Sequence, residues 1–205
     1  MRYRYQLIDR ENCHQGFFRL DRLRLRHEFF GGGEGPVLTR EVLLRGHAVA
    51  VLPYDPERDR CVLIEQFRVG AIEHHEGPWL TEIVAGIVEP GEAPKAVARR
   101  EVREETGGQI QSLEKVCCFF SSPGGSDEQV AVYCASVDSA TAGGVPGLPE
   151  EGEDIRAFSL PRTEAMRLLD EGLIRTAPAV VALQWLALNH PRLQRAWSST
   201  HGGDG

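Results

Sequence analysis

The sequence predicts an α/β fold led by a small antiparallel β subdomain, and three observations predict it. Near the N-terminus Leu23 and Leu25 alternate with Arg22, Arg24 and Arg26, the period of two that marks a half-exposed strand. Through the middle, short apolar runs alternate with glycine- and proline-marked turns. Between those runs and again at the C-terminal end lie segments with helical start and stop signals.

Taken in order, residues 3–45 read as antiparallel strands, with Gly31-Gly32-Gly33 and Gly35-Pro36 as a turn and residues 37–44 as the return strand. So small a sheet is marginal alone and must pack on something, a second subunit or the main domain. Residues 47–52 and 61–67 are apolar strands joined by a polar turn over 54–59. Residues 69–78 form a loop containing His74 and His75, whose adjacency is not the helical spacing of a metal pair. Residues 79–85 read as one strand running into Gly86. A helix follows, with Pro94 suited to its first turn and Gly107-Gly108 ending it. Strands at about 110–120 and 129–137 flank the loop Ser121-Ser122-Pro123-Gly124-Gly125. An acidic, glycine- and proline-rich loop runs from 140 to 153, and helices at about 162–171 and 178–189, the second stopped before Pro191, close the chain. The domain division is therefore 1–45 as a β subdomain, 46–197 as the main domain, and 198–205 as a tail predicted to be disordered.

Composition narrows the function. At 205 residues and 41% apolar content the chain has material for a core. A net charge of −7, from 30 acidic and 23 basic residues, argues against a general nucleic-acid or anionic-membrane surface. No apolar run approaches the roughly 20 residues of a membrane span, and MRYRYQLIDR contains no apolar signal segment, which predicts a cytoplasmic protein. The five cysteines form no CxxC pair and read as buried thiols in a reducing compartment.

The chemistry concentrates in residues 86–108, GIVEPGEAPKAVARREVREETGG. From Glu101, the residues at i+3 and i+4 are Glu104 and Glu105, and residues so spaced share a helix face. Carboxylates packed together repel, and each tends to hold its proton. A hard divalent cation such as Mg²⁺ removes that penalty, so the segment reads as a metal-binding helix. A solvated helix laced with Arg–Glu pairs is the competing reading, and the glycine turn at Gly86 with Glu92 at a fixed offset argues against it.

The full spacing, from Gly86 through Glu92 to Arg100-Glu101-Val102-Arg103-Glu104-Glu105-Thr106-Gly107, resembles the Nudix box, the signature of hydrolases acting on nucleoside diphosphates linked to another group. Every charged and glycine position matches. Gly108 departs from the aliphatic residue expected there, with Ile110 as a substitute for packing. Gly16-Phe17-Phe18, Arg45-Gly46-His47-Ala48, Ile64-Glu65-Gln66-Phe67-Arg68, Ser122-Pro123-Gly124-Gly125, Glu153-Asp154-Ile155 and Ala182-Leu183-Gln184-Trp185-Leu186 extend the resemblance to the subgroup of bacterial ADP-ribose pyrophosphatases. Pro123, fifteen residues beyond Gly108, occupies the position that goes with ADP-ribose in that subgroup.

The resemblance implies an α/β/α Nudix sandwich with a mixed sheet, and Mg²⁺-dependent hydrolysis of ADP-ribose to AMP and ribose 5-phosphate. It implies roughly two or three Mg²⁺ ions, replaceable by Mn²⁺, held by Glu101, Glu104, Glu105 and the backbone carbonyl of Ala85. Glu92 and Arg100 would hold the loop and helix in register. The acidic loop would carry the catalytic base, Glu151 with Glu153 as runner-up. Arg68 would bind the pyrophosphate, Gly86 would line the substrate site, and Glu82 would contact the terminal ribose. Phe17 and Arg40, reaching from the partner of a homodimer, would sandwich adenine. A pyrophosphatase for another nucleoside diphosphate sugar such as GDP-mannose, and a sensor that binds ADP-ribose without cleaving it, are the alternatives.

Overall fold

A computed structural model describes residues 3–144 and 154–198. The chain forms two compact units, Met1–His47 with Phe120–Gln129, and Ala48–Phe119 with Val130–Gly205.

In the first unit, β1 (Tyr5–Gln15), β2 (Arg19–His27) and β3 (Leu38–Leu44) make a three-stranded sheet in that order, both pairings antiparallel. The predicted alternation holds through Leu25, with Leu23 and Leu25 half-buried and Arg22 and Arg24 exposed, whereas Arg26 is half-buried, paired with Glu34 (2.6 Å). Gly32 and Gly33 sit at φ 91° and 84°, the left-handed region that glycine enters without a Cβ clash, and they close the turn after β2. The 120–129 segment belongs to this unit through Leu43, which donates its N–H to the Gly125 carbonyl (2.8 Å) and accepts from the Asp127 N–H (3.2 Å).

The second unit holds a seven-stranded mixed sheet. Its strands are β4 (His47–Asp55), β5 (Arg60–Phe67), β6 (Trp79–Glu82), β7 (Val84–Val88), β8 (Ser112–Phe120), β9 (Gln129–Ser136) and β10 (Ile155–Pro161). The main order is β10-β5-β4-β9-β8, with β6 paired to β5 and β7 to β4. β4 and β9 run parallel, from Ala48↔Val130 to Tyr54↔Ser136, while β5 is antiparallel to β4, β6 and β10. α1 (Pro94–Thr106) covers one face, where Val97, Ala98 and Val102 pack on Val49, Val51, Val62 and Ile64. α2 (Arg162–Asp170) and α3 (Ala177–Ser198) cover the other, packing on Leu52, Leu63 and Val132. The result is the three-layer α/β/α arrangement with a mixed sheet and a separate N-terminal antiparallel sheet. Ile110 joins the core under α1, as the departure at Gly108 suggested.

Four expectations need correction. The strand at 79–85 is two strands broken at Ile83, because β6 pairs with β5 while β7 pairs with β4. Tyr54 and Asp55 are buried residues of β4 rather than turn. The Tyr54 hydroxyl donates to Asp59 (2.9 Å), and Asp55 accepts from the Ser139 hydroxyl and N–H (2.7 and 2.9 Å) and the Arg58 N–H (2.9 Å). The last helix does not stop before Pro191 but runs through it to Ser198. Leu193 and Trp197 lie in the core beyond the proline, and that burial outweighs the lost backbone hydrogen bond. None of the five cysteines forms a disulfide, but Cys13 and Cys118 are exposed while Cys61 and Cys134 are buried. Burial pushes the Cys61 thiol up to about 12. Residues 199–205 lie outside the described residues. No helix among the described residues is long and apolar enough to cross a membrane.

Candidate active site

The second unit brings the acidic signature together around β7 and α1. α1 starts at Pro94, with Ala93 as N-cap, and ends at Gly107, whose φ of 72° is left-handed and whose N–H returns to the Arg103 carbonyl. Val97, Ala98, Val102, Glu105 and Thr106 form its buried face. Thr106 locks the last turn: its hydroxyl donates to the Val102 carbonyl (2.5 Å) and accepts from the Gly108 N–H (3.1 Å).

Opposite the helix lies Gly86. A Cβ built there would stand 2.0 Å from Oε1, 2.1 Å from Cδ and 2.5 Å from Cγ of Glu101. Glycine is thus required by a close approach, since the Glu101 carboxylate lies directly on the strand backbone. One residue earlier, the Ala85 N–H donates to Oε2 of Glu105 (3.2 Å), and Glu105 is buried. Two helix carboxylates are therefore seated on consecutive residues of β7.

Arg100 is the counter-charge. Its Nη1 lies 2.7 Å from Glu101 and 3.3 Å from Glu104, and its Nη2 lies 3.6 Å from Glu92. Burial works against the guanidinium charge, but Glu101, Glu104 and Glu92 together hold it above the usual arginine range. Glu92 also accepts the Glu89 N–H (3.1 Å), tying the loop before α1 to this cluster. The repulsion foreseen among the carboxylates is answered inside the chain by Arg100. Among the described residues, no three acidic, histidine or cysteine side chains are already spaced to hold an ion. The donor set is nonetheless all oxygen, the ligand type that a hard divalent cation takes, and the bare Gly86 lets Glu101 lie against the strand backbone.

A second group sits on the β5–β6 hairpin. Glu82 accepts three donors on one oxygen: Arg68 Nη2 (2.7 Å), Arg68 Nε (2.9 Å) and Gln66 Nε2 (3.2 Å). Gln66 follows Val62 and Ile64 on the face that α1 covers, because strand residues two apart share a face. The sequence names Gln66 within the 64–68 segment without giving it a role, although the period of two points to this face.

Phe17, Arg40 and Pro123 belong to the first unit. Phe17 is 86% exposed and meets Phe18 edge-on at 4.8 Å, and Arg40 donates to the Thr39 carbonyl (2.8 Å). Glu151 and Glu153 lie outside the described residues. His74 and His75 are surface-loop residues, with His74 beside Arg175.

Comparison with known proteins follows the same lines. The NUDIX domain family model matches residues 44–187. An ADP-ribose pyrophosphatase of Haemophilus influenzae is 43% identical over 195 residues, covering 94% of this chain and 90% of that protein. An ADP-ribose pyrophosphatase of Escherichia coli strain K12 is 45% identical over 193 residues, covering 94% and 92%. A solved structure described as an ADP compounds hydrolase superposes with a TM-score of 0.69 at 21% identity, covering 94% of this chain and 96% of its own, a likeness of fold.

Proposed function

We infer that this chain, which belongs to the Nudix family, is an ADP-ribose pyrophosphatase that hydrolyses ADP-ribose to AMP and ribose 5-phosphate. The observation that carries the substrate is identity of 43% to 45% with two ADP-ribose pyrophosphatases over 94% of the chain. The chemistry rests on Glu101 and Glu105, seated on the backbone at Gly86 and Ala85.

In the reaction the bridging P–O bond breaks, a water oxygen bonds to one phosphorus, and the water's proton passes to a base. Glu101, Glu104 and Glu105, with the Ala85 carbonyl, would hold a divalent ion, Mg²⁺ or Mn²⁺. Such an ion supplies charge to neutralise the diphosphate and to acidify water. The chain's own residues do the positioning that phosphoryl transfer chiefly needs. Arg100 and Glu92 fix the loop and helix in register, Gly86 admits Glu101, and Arg68 presents a guanidinium fork to the diphosphate. Glu151, with Glu153 as runner-up, is the proposed base. Phe17 and Arg40 supply an aromatic face and a guanidinium plane for adenine, and Pro123 accompanies them in the first unit.

A homodimer formed through the N-terminal sheet belongs to the same proposal. β1 is exposed along all 11 residues at the sheet edge, and it carries Tyr5, Leu7 and Ile8 in the open. A long edge strand with exposed apolar side chains is a pairing surface. The test of function is kcat/KM for ADP-ribose, ADP-glucose, GDP-mannose and NADH, with and without chelator. ADP-ribose should lead the panel and all turnover should cease on chelation. Preference for GDP-mannose, or binding of ADP-ribose without product release, would overturn the reading.

A further inference from the structure

Glu82 is 7% exposed and Gln66 8%, whereas the Arg68 side chain is 42% exposed. A carboxylate so buried is costly unless a charge and hydrogen bonds satisfy it. Arg68 and Gln66 do so, but the geometry is lopsided. Nε and Nη2 of Arg68 and Nε2 of Gln66 all converge on Oε2. Two N–H vectors on one acceptor fix the plane of a guanidinium, whose other donors then point away from the pair in set directions. The backbone adds a third restraint, because the Arg68 N–H donates to the Pro78 carbonyl (2.8 Å) across the hairpin.

We infer that Glu82 and Gln66 are positioning residues, which lock Arg68 before substrate arrives so that the rest of its fork meets the diphosphate already aimed. This differs from the ribose contact that resemblance implies for Glu82, and it rests on the diphosphate-hydrolase reading above. The arrangement also means that Glu82 weakens the pull of Arg68 on anions while sparing the cost of ordering a long side chain.

Two measurements test it. The Arg68 Nε–H NMR signal, assigned by its loss in R68K, should be protected from solvent exchange in the substrate-free protein and lose that protection in E82Q and Q66L. Rapid exchange in the wild-type protein would overturn the inference. Steady-state kinetics on ADP-ribose should then show E82Q, Q66L and R68K each raising KM by about tenfold or more, with a much smaller change in kcat. The double variant R68K/E82Q should be no worse than R68K within about twofold, since R68K has already lost the Nε that Glu82 grips. Factors that multiply would place Glu82 on the substrate itself and overturn the inference. Failure of the wild-type protein to cleave ADP-ribose counts against the function alone, because exchange protection is read without substrate.

Discussion

A Cβ on Gly86 meets the outer end of the Glu101 side chain, with Oε1 at 2.0 Å, Cδ at 2.1 Å and Cγ at 2.5 Å. That end is flexible, so the fold can absorb a methyl group while the carboxylate cannot stay where it is. Gly86→Ala should therefore lower kcat/KM by about 10²-fold or more, the cost of displacing a proposed ion-holding carboxylate by an ångström or so. Its thermal midpoint should fall only slightly. An unfolded variant would mean that Gly86 serves the sheet rather than the site. Glu105 presents the complementary case. Buried and accepting the Ala85 N–H, it can be replaced by glutamine with shape and acceptor kept and only the charge removed. Glu105→Gln should lose roughly 10³-fold in kcat with circular dichroism unchanged, because a charge at the reacting centre is worth several kcal/mol.

At the scale of elements, β4 ends on Asp55, which is 1% exposed and gathers Ser139, Arg58 and the Glu57 N–H. Burial alone would raise its pKa, but the Ser139 and Arg58 hydrogen bonds win and hold it at about 2, below the ordinary 3.8. The folded state thus binds this proton less readily than the unfolded chain. The stability Asp55 contributes is whole above the ordinary 3.8 and is lost as pH falls from there through about 2. Urea midpoints should show Asp55→Asn clearly less stable than wild type at about pH 6, by roughly 3 kcal/mol, with the gap closing through that acid window. A pH-independent gap would contradict the assignment. α3 makes the second prediction at this scale. Trp197→Ala, six residues past Pro191, should cost about 3 kcal/mol, since the helix end beyond the proline is core.

These elements also show how far the sequence could be read. The acid helix, its proline start and its glycine stop were legible because spacing and capping are local properties. The break at Ile83 was not, because which neighbour a strand pairs with is decided across the sheet. Nor was the burial of Asp55, which depends on Ser139, 84 residues away. Pro191 reads as a stop in any local account, and only the burial of Leu193 and Trp197 overrides it. Among the candidate site residues, the clustering of Glu101, Glu104 and Arg100 was legible from their spacing, while the grip of Glu82 and Gln66 on Arg68 needed the hairpin register to appear.

For the whole molecule, the exposed edge strand predicts self-association. Leu7→Glu with Ile8→Glu should convert a dimer to a monomer in sedimentation velocity, and a wild-type monomer at micromolar concentration would contradict that proposal. The deeper claim is that one acidic helix face exists to hold a divalent cation against a diphosphate. The most direct test is Mn²⁺ titration followed by electron paramagnetic resonance, on the wild-type protein and on the Glu101→Gln, Glu105→Gln double variant. The wild type should remove free Mn²⁺ from solution, with Mg²⁺ competing for the same sites, and the folded double variant should leave the free-ion signal nearly intact. Equal uptake by the two proteins would show that the cation is held elsewhere.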